Sequence, residues 1–378
     1  MRINFILPYA GLAGGVRVVA IYAEHLQRRG HKVVVTSVPH KEIPWRGKIK
    51  SVLSGGGWPK GREAEPSYFD GLGIEHRVLE RWRPVGNADV PDGDVVVATW
   101  WETAEWVERL SSSKGAKAYF IQHYEALPGL PKDRVDATWC MPMHKIVISR
   151  WLGDVARERF GDDIVSHIPN SVDTKQFSAP PRQKQTTPTI GILYSLVRWK
   201  GVDTSLAAVH RVQKRFPSVK LVAFGSERES SELPLPQGSK FFFQPPQKQI
   251  KEIYGECDVW LCGSRTEGFH LPPLEAMACR CPVVSTSVGG PMDIIDDGAN
   301  GFLVSIDNVG ALADRLERVL EMTPEAWRRM SDAAFATAHR YTWEDAVILL
   351  ERALKLTIDR SNRGELERKT MPRRGVSV

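Results

Sequence analysis

Arg265-Thr266-Glu267-Gly268-Phe269-His270-Leu271-Pro272-Pro273-Leu274-Glu275-Ala276-Met277-Ala278 is the most informative stretch of the 378-residue chain. The apolar run Val259–Cys262 before it reads as a buried strand. The paired prolines mark a first helical turn, so a helix is predicted over 273–279. Glu267 then falls in the loop and Glu275 in the first turn. The backbone N–H groups of Gly268, Phe269, His270 and Leu271, with the helix N-terminus behind them, form an anion site suited to a diphosphate. Gly268 lets the backbone approach a ligand closely. Two carboxylates beside an anion would repel it, so their natural partners are hydroxyl groups. The pattern alone leaves a second reading open, in which Glu275 caps its own helix and Glu267 is solvated.

The chain opens with the same grammar. Strand Ile3–Leu7 leads through Pro8–Gly15 to a helix carrying Val18, Val19, Ile21, Tyr22 and Leu26. That helix stops near Arg29-Gly30, and strand Lys32–Thr36 follows. This is a βαβ unit and predicts a parallel sheet. Residues 40–72 carry loop chemistry. Further strands are expected at Val95–Ala98, Ala118–Gln122, Lys145–Ser149 and Val165–Ile168, with helices at 101–112 and 150–160. Residues 171–188 form a polar, proline-bearing linker. A second series then begins, with strands at Thr189–Tyr194, Lys220–Phe224, Val259–Cys262, Pro282–Ser285 and Phe302–Val304. Its helices are expected at 202–215, 247–256, 273–279 and 308–321. Helices at 324–339 and 342–357 and a charged, frayed tail over 358–378 complete the chain.

The expected fold class is therefore α/β: two doubly wound, Rossmann-like domains facing a central cleft, with ligands beyond the strand C-termini. The expected domains are 1–178, 179–340 and a C-terminal helix and tail over 341–378, the helix returning toward the first domain.

Composition narrows the classes. Hydrophobic residues make up 42% and charged residues 25%, which excludes disordered and collagen-like chains. The balance of 51 Lys+Arg against 45 Asp+Glu gives +6, too mild to indicate nucleic-acid binding. Five cysteines are odd in number and read as reduced thiols of a cytoplasmic protein. No apolar run is long enough to span a membrane. Neither a phosphate-binding GxxxxGK[ST] loop nor a GxSxG elbow occurs. Asp92-Gly93-Asp94 has the look of a metal-binding acidic pair but precedes a strand, so it reads as a turn.

Glu267 and Glu275, with seven residues between them inside EGFHLPPLEAMA, resemble the EX7E signature of retaining GT-B glycosyltransferases of family 4. The likeness continues through Arg280–Ser285, Gly289-Gly290 and Asp297–Val304. Upstream, Ile168-Pro169-Asn170-Ser171-Val172-Asp173 resembles the family's interdomain segment, with Ser171 where glycine is usual. Gly14-Gly15 before a helix is similar to the family's first-domain loop. The resemblance is strong over 168–305 and looser over 1–150.

It implies a GT-B fold and a role for each matching position. Glu275 resembles the acid that binds the donor's ribose hydroxyls, and Glu267 the acid that contacts the transferred sugar. The amides of Phe269, His270 and Leu271 resemble the diphosphate loop, although His270 stands where glycine is common. Lys200 resembles the lysine that neutralises the diphosphate leaving group, a cation placed where charge develops. The arginine usual five positions before it is Ser195 here. Either Arg198 supplies that charge from another position or the site works with one cation. His123, after a buried strand, resembles the first-domain histidine near the donor sugar. Gly225-Ser226 resembles the loop under the nucleotide, and Phe243-Gln244-Pro245 the backbone beside its base.

The resemblance further implies a nucleotide-sugar donor as substrate, no cofactor, no metal, and a glycan or lipid-linked acceptor in cell-surface polysaccharide or glycoconjugate synthesis. Trp100-Trp101, Trp106 and Trp139 are expected to line the acceptor side. Basic residues gather at Arg28-Arg29, Lys41, Arg46, Lys48, Lys50, Lys60, Arg62, Arg81 and Arg83. They point to peripheral contact of the first domain with anionic lipid on the inner face of the membrane. Two rivals stand beside this reading: a GT-B nucleotide-sugar epimerase-type enzyme, and a catalytically silent glycan-binding relative. The donor sugar, the acceptor and the oligomeric state are not set by these residues.

Overall fold

A computed structural model describes residues 1–40 and 66–369. The chain divides into two compact units. Met1–Val147, Gly153–Ile168 and Val347–Val378 form the first, and Ile148–Leu152 with Pro169–Ala346 form the second.

The first unit is built on seven strands: β1 (Arg2–Leu7), β2 (Lys32–Ser37), β3 (Glu75–Val78), β4 (Val95–Ala98), β5 (Ala116–Ile121), β6 (His144–Val147) and β7 (Val165–His167). Their order is β3-β2-β1-β4-β5-β6-β7, and every pairing is parallel. β4 is buried throughout and β1 from Ile3 onward, which is why their sequences are continuous apolar runs and not alternating ones. Helix Gly14–Arg28 buries Val18, Val19, Tyr22 and Leu26, a single stripe at helical spacing.

The second unit has six strands: β8 (Thr189–Leu193), β9 (Lys220–Gly225), β10 (Lys240–Phe243), β11 (Val259–Cys262), β12 (Val283–Thr286) and β13 (Gly301–Val304). Their order is β10-β9-β8-β11-β12-β13, again all parallel. Ile190, Ile192, Leu206, Val209, Leu261, Phe302 and Leu316 share its core with Trp327, whose Nε1 donates to the Asp258 carbonyl at 2.9 Å. In both sheets the winding reverses once, between β1 and β4 and between β8 and β11. Ligands of doubly wound sheets bind beyond the strand ends at that reversal.

The α/β, doubly wound reading agrees with this architecture, and the differences lie at its margins. β3 and β10 are edge strands with mostly exposed faces, so Glu75-His76-Arg77-Val78 and Lys240-Phe241-Phe242-Phe243 lack the fully apolar signature of the buried ones. Helix Lys132–Trp139 is short and polar and gives no periodic signal. The helix expected over 150–160 is Arg150–Asp154 followed by one π turn, Val155–Arg159.

The unit boundary falls at Ile168/Pro169, ten residues ahead of the expected 178. Residues beyond it already pack in the second unit. Ser171 Oγ donates to the Tyr341 carbonyl at 2.6 Å, and the buried Phe177 ring meets Tyr254 at 6.1 Å.

The final helix, Trp343–Asn362, extends past the expected 357, and from Val347 on it belongs to the first unit. Buried Arg360 explains the extension. Its Nη1 donates to His144 Nδ1 at 2.8 Å and to the Ile164 carbonyl at 3.3 Å. Burial, then the Arg360 charge, pushes His144 down to about 4, so the ring accepts as a neutral imidazole. Nearer the start of the same helix, Glu351 binds Arg29 at 2.8 and 3.0 Å and His31 at 2.6 Å. No helix among the described residues is long and apolar enough to cross a membrane.

Candidate active site

The loops after β8 and β11 meet at the reversal of the second sheet. Gly201, at φ +58°, ends the first loop, and a Cβ there would lie 1.8 Å from the Gly263 carbonyl oxygen at the start of the second. Only glycine permits that approach. Arg265 braces it: its N–H donates to the Trp199 carbonyl at 2.8 Å, and its guanidinium binds Asp203, Asp307 and the Arg198 carbonyl at 2.7–2.9 Å.

This contact brings Lys200 onto Glu267. The ammonium donates to both carboxylate oxygens, at 2.9 and 3.0 Å. Ser264 Oγ donates to Glu267 Oε1 at 2.8 Å, and Ser264 is itself held through its carbonyl by Thr286 Oγ1 at 2.5 Å. Glu267 is buried, which removes the alternative of a solvated loop acid. Burial pushes its carboxyl up, but His270, the Lys200 ammonium and the Ser264 hydroxyl together hold it below the usual carboxylate range. Ser264 and Thr286 were not foreseen: a lone hydroxyl residue carries no spacing signal.

The helix after this loop starts at Leu271, two residues earlier than expected, so Glu275 is its fifth residue and lies beyond the first turn. Its N-terminus has neither a side-chain cap nor an acid in the first turn, so Glu275 does not cap its own helix. The loop is pinned from behind. Gly290 N–H donates to the Phe269 carbonyl at 2.8 Å, and a Cβ on Gly290 would sit 2.2 Å from that oxygen. Trp151 Nε1 donates to the Gly268 carbonyl at 3.0 Å. Both contacts turn these carbonyls back into the fold at the helix start. His270 occupies the left-handed region at φ +72°, which is the physical reason glycine suits this position.

Glu275 is buried and accepts from the Tyr254 hydroxyl at 3.0 Å. Tyr254, on helix Gln247–Gly255, is a further residue of this site that sequence reasoning missed. Ser195, where the family usually has an arginine, donates to Glu227 at 3.1 Å, and the Leu196 N–H donates to the same carboxylate at 2.7 Å. Arg198 projects an exposed side chain. Gly225 has a packing reason of its own, since a Cβ there would lie 2.4 Å from the Tyr194 carbonyl oxygen. Beyond it, Gln244 N–H donates back to the Gly225 carbonyl at 2.8 Å, and Arg228 lies 4.5 Å over the partly exposed Phe243 ring.

In the first unit, Gly14 opens its helix with no atom near its missing Cβ, and Gly15 packs against Gln122, whose Nε2 donates to the Gly15 carbonyl at 3.1 Å. His123 follows β5, and its Nδ1 donates to the Tyr124 carbonyl at 2.8 Å, fixing the ring. Next to it, buried Glu125 accepts from the Trp101 N–H at 2.8 Å and is held above the usual carboxylate range by burial.

Three of the four tryptophans expected on the acceptor side are core residues. Trp101, Trp106 and Trp139 are buried, Trp139 stacked on Phe160 at 5.4 Å, and only Trp100 remains partly open. The expected basic face is also partly neutralised: Arg28 pairs with Glu24, Arg29 with Glu351 and Arg83 with Asp89. Lys41, Arg46, Lys48, Lys50, Lys60 and Arg62 lie outside the described residues. Asp92 binds Lys114 and Asp94 binds Arg2, as suits a turn.

Two tandem all-parallel sheets of this winding are the architecture of the GT-B fold. Residues 173–337 match the family described as glycosyl transferases group 1. The chain is 28% identical over 382 residues to the phosphatidyl-myo-inositol mannosyltransferase of Mycobacterium tuberculosis, covering 91% of this chain and 93% of that one. It is 25% identical over 207 residues to the GDP-mannose:cellobiosyl-diphosphopolyprenol alpha-mannosyltransferase of Xanthomonas oryzae, covering 52% and 53%. Its fold is similar to that of HepE from Anabaena, solved in complex with UDP-glucose, at a TM-score of 0.69 and 17% identity, covering 94% of this chain and 99% of that one. The fold is that of the GT-B glycosyltransferases, and the match over residues 173–337 supports a family 4 type.

Proposed function

We propose that the chain is a retaining, metal-independent glycosyltransferase. It moves a sugar from a nucleotide-sugar donor to a glycan or lipid-linked acceptor in cell-surface polysaccharide or glycoconjugate synthesis. The observation that carries this reading is the pairing of half-buried Lys200 with buried Glu267 at the reversal of the second sheet, beside an uncapped helix N-terminus. The relatives named for a phosphatidylinositol and a diphosphopolyprenol support a lipid-linked acceptor, and a relative structure holding UDP-glucose supports the donor class.

In this reading the amides of Phe269, His270 and Leu271 take the diphosphate. Lys200 turns to the same group and stabilises the charge that grows as the glycosidic bond breaks. Glu267 accepts from hydroxyls of the transferred sugar, and Glu275, held by Tyr254, accepts from the ribose. Arg198 is free to add a second positive charge. Gly225 shapes the nucleotide loop. Gly14, Gly15 and His123 serve the donor from the first unit, His123 as a hydrogen-bonding group to the sugar. The work is done in the cytoplasm, at the inner face of the membrane when the acceptor is a lipid.

A thermal-shift panel of UDP-, GDP-, dTDP- and ADP-sugars tests the donor class, because a ligand of the folded state raises its melting temperature. One nucleotide should stand out. Product analysis by NMR should then show the donor's anomeric configuration kept, with activity unchanged by a chelator. Turnover of the donor alone to an epimer would place the chain with the epimerase-type enzymes instead.

A further inference from the structure

His270 carries three unfavourable features at once. It stands at φ +72° and ψ +81°, where a side chain strains the backbone. Its ring is buried. Its Nδ1 is enclosed and has no hydrogen-bond partner among the described residues. Such combinations persist where the arrangement is used. The other ring nitrogen indicates the use: Nε2 lies 3.6 Å from Glu267 Oε1, just outside hydrogen-bond reach.

Lys200 has two tasks in the proposed reaction. Two of the three ammonium donors now serve the Glu267 oxygens, and a bound diphosphate would compete with that carboxylate for the same cation. When Lys200 turns to the diphosphate, Glu267 keeps only the Ser264 hydroxyl, on Oε1. A buried carboxylate with one donor is poorly held and is driven toward protonation.

We propose that His270 is a positioning residue: as Lys200 engages the diphosphate, the Nε2–H of His270 closes on Glu267 and keeps that carboxylate ionised and aimed at the donor sugar. This rests on the donor-site reading above. The charged groups that face the ring are Glu267 and Lys200, and the buried Cys262 thiol adjoins the same carboxylate. Burial, reinforced by Lys200, holds the imidazole down to about 4, so it acts as a neutral hydrogen-bond donor. The carboxylate selects the Nε2–H tautomer, which leaves a lone pair, and not an N–H, on the enclosed Nδ1.

His270→Gly fits the left-handed backbone and should fold with a melting temperature no lower than the parent's. Its kcat should fall at least tenfold with the donor KM within twofold, and the acid limb of its pH profile should move to higher pH. His270→Asn, which tolerates this backbone and keeps an N–H, should recover part of the loss. Unchanged kcat and an unchanged acid limb in His270→Gly would overturn the proposal. A second readout is independent of transfer. In a Lys200→Met background, the 13C signal of the Glu267 carboxyl should titrate at higher pH once His270→Gly is added, and an identical titration would overturn the role. If the parent turns over no donor, the transferase reading fails while the carboxyl titration still decides the part played by His270.

Discussion

Lys200 and Glu267, 67 residues apart in sequence, meet with the ammonium 2.9 and 3.0 Å from the two carboxylate oxygens. Neither loop would hold this geometry alone. Each hangs from a buried strand on one side of the sheet reversal, and the Gly201–Gly263 contact locks them together. The pair defines what each member must do. Lys200→Met leaves a buried carboxylate without its cation. We expect kcat to fall by about 10²–10³-fold, the scale of losing one preorganised charge-stabilising group, checked by steady-state kinetics with the identified donor.

The same pair predicts an acid response. Glu267 has a folded-state pKa below its ordinary value, so its contribution to stability is complete above the unfolded value of about 4.3 and is lost as pH falls through the folded value. Melting temperatures of the parent and Glu267→Gln should therefore differ most near neutral pH and converge as pH falls below the ordinary carboxylate range. A gap that widens on acidification would contradict the sign.

Tyr254 orients Glu275 through one buried hydrogen bond. Tyr254→Phe deletes the hydroxyl and keeps the ring packing against Trp260 and Phe224. A bond to a charged group contributes about 1.5–3 kcal/mol, so the donor KM should rise at least tenfold with kcat little changed. Calorimetric titration of the matching nucleoside diphosphate checks this without any acceptor.

Gly201→Ala tests the loop contact itself. The added methyl would sit 1.8 Å from a backbone oxygen at a left-handed position. Neither the carbonyl nor the backbone can yield cheaply, so destabilisation on the order of 3 kcal/mol is expected, read as a lower urea midpoint with an unchanged slope. Activity measured well below that midpoint should fall too, because Lys200 is displaced.

In the first unit, Glu351 ties the final helix to Arg29 and His31, and the Arg29 guanidinium first of all holds its carboxyl down at about 2. Its stabilisation is full above about pH 4.3 and lost as pH falls toward 2. Glu351→Gln should lower the melting temperature at pH 7 and become indistinguishable from the parent near pH 2. Hydrogen exchange over 347–362 should quicken at neutral pH.

The buried strands and long amphipathic helices were legible because burial on both faces writes continuous apolar runs into β1, β4, β8 and β11. Edge strands β3 and β10 were not, since one open side relaxes that requirement. Glu267, Glu275 and Lys200 could be singled out because they stand at fixed positions around a helix start or a family motif. Tyr254, Ser264 and Thr286 act through contacts between elements distant in sequence, which no local pattern encodes. The tryptophans misled because an indole that packs a core and one that stacks on a sugar have the same sequence signature. His270 was read for its amide alone, and its left-handed backbone and enclosed ring became visible only in three dimensions.

The most direct test of the account is nucleoside diphosphate release by the full chain from UDP-, GDP-, dTDP- and ADP-sugars, with Glu267→Gln measured in parallel. One nucleotide-sugar should be turned over by the parent and by Glu267→Gln at least a hundredfold more slowly. Equal turnover by the two proteins, or none from any donor whose binding is demonstrated, would contradict the assignment of this site to sugar transfer.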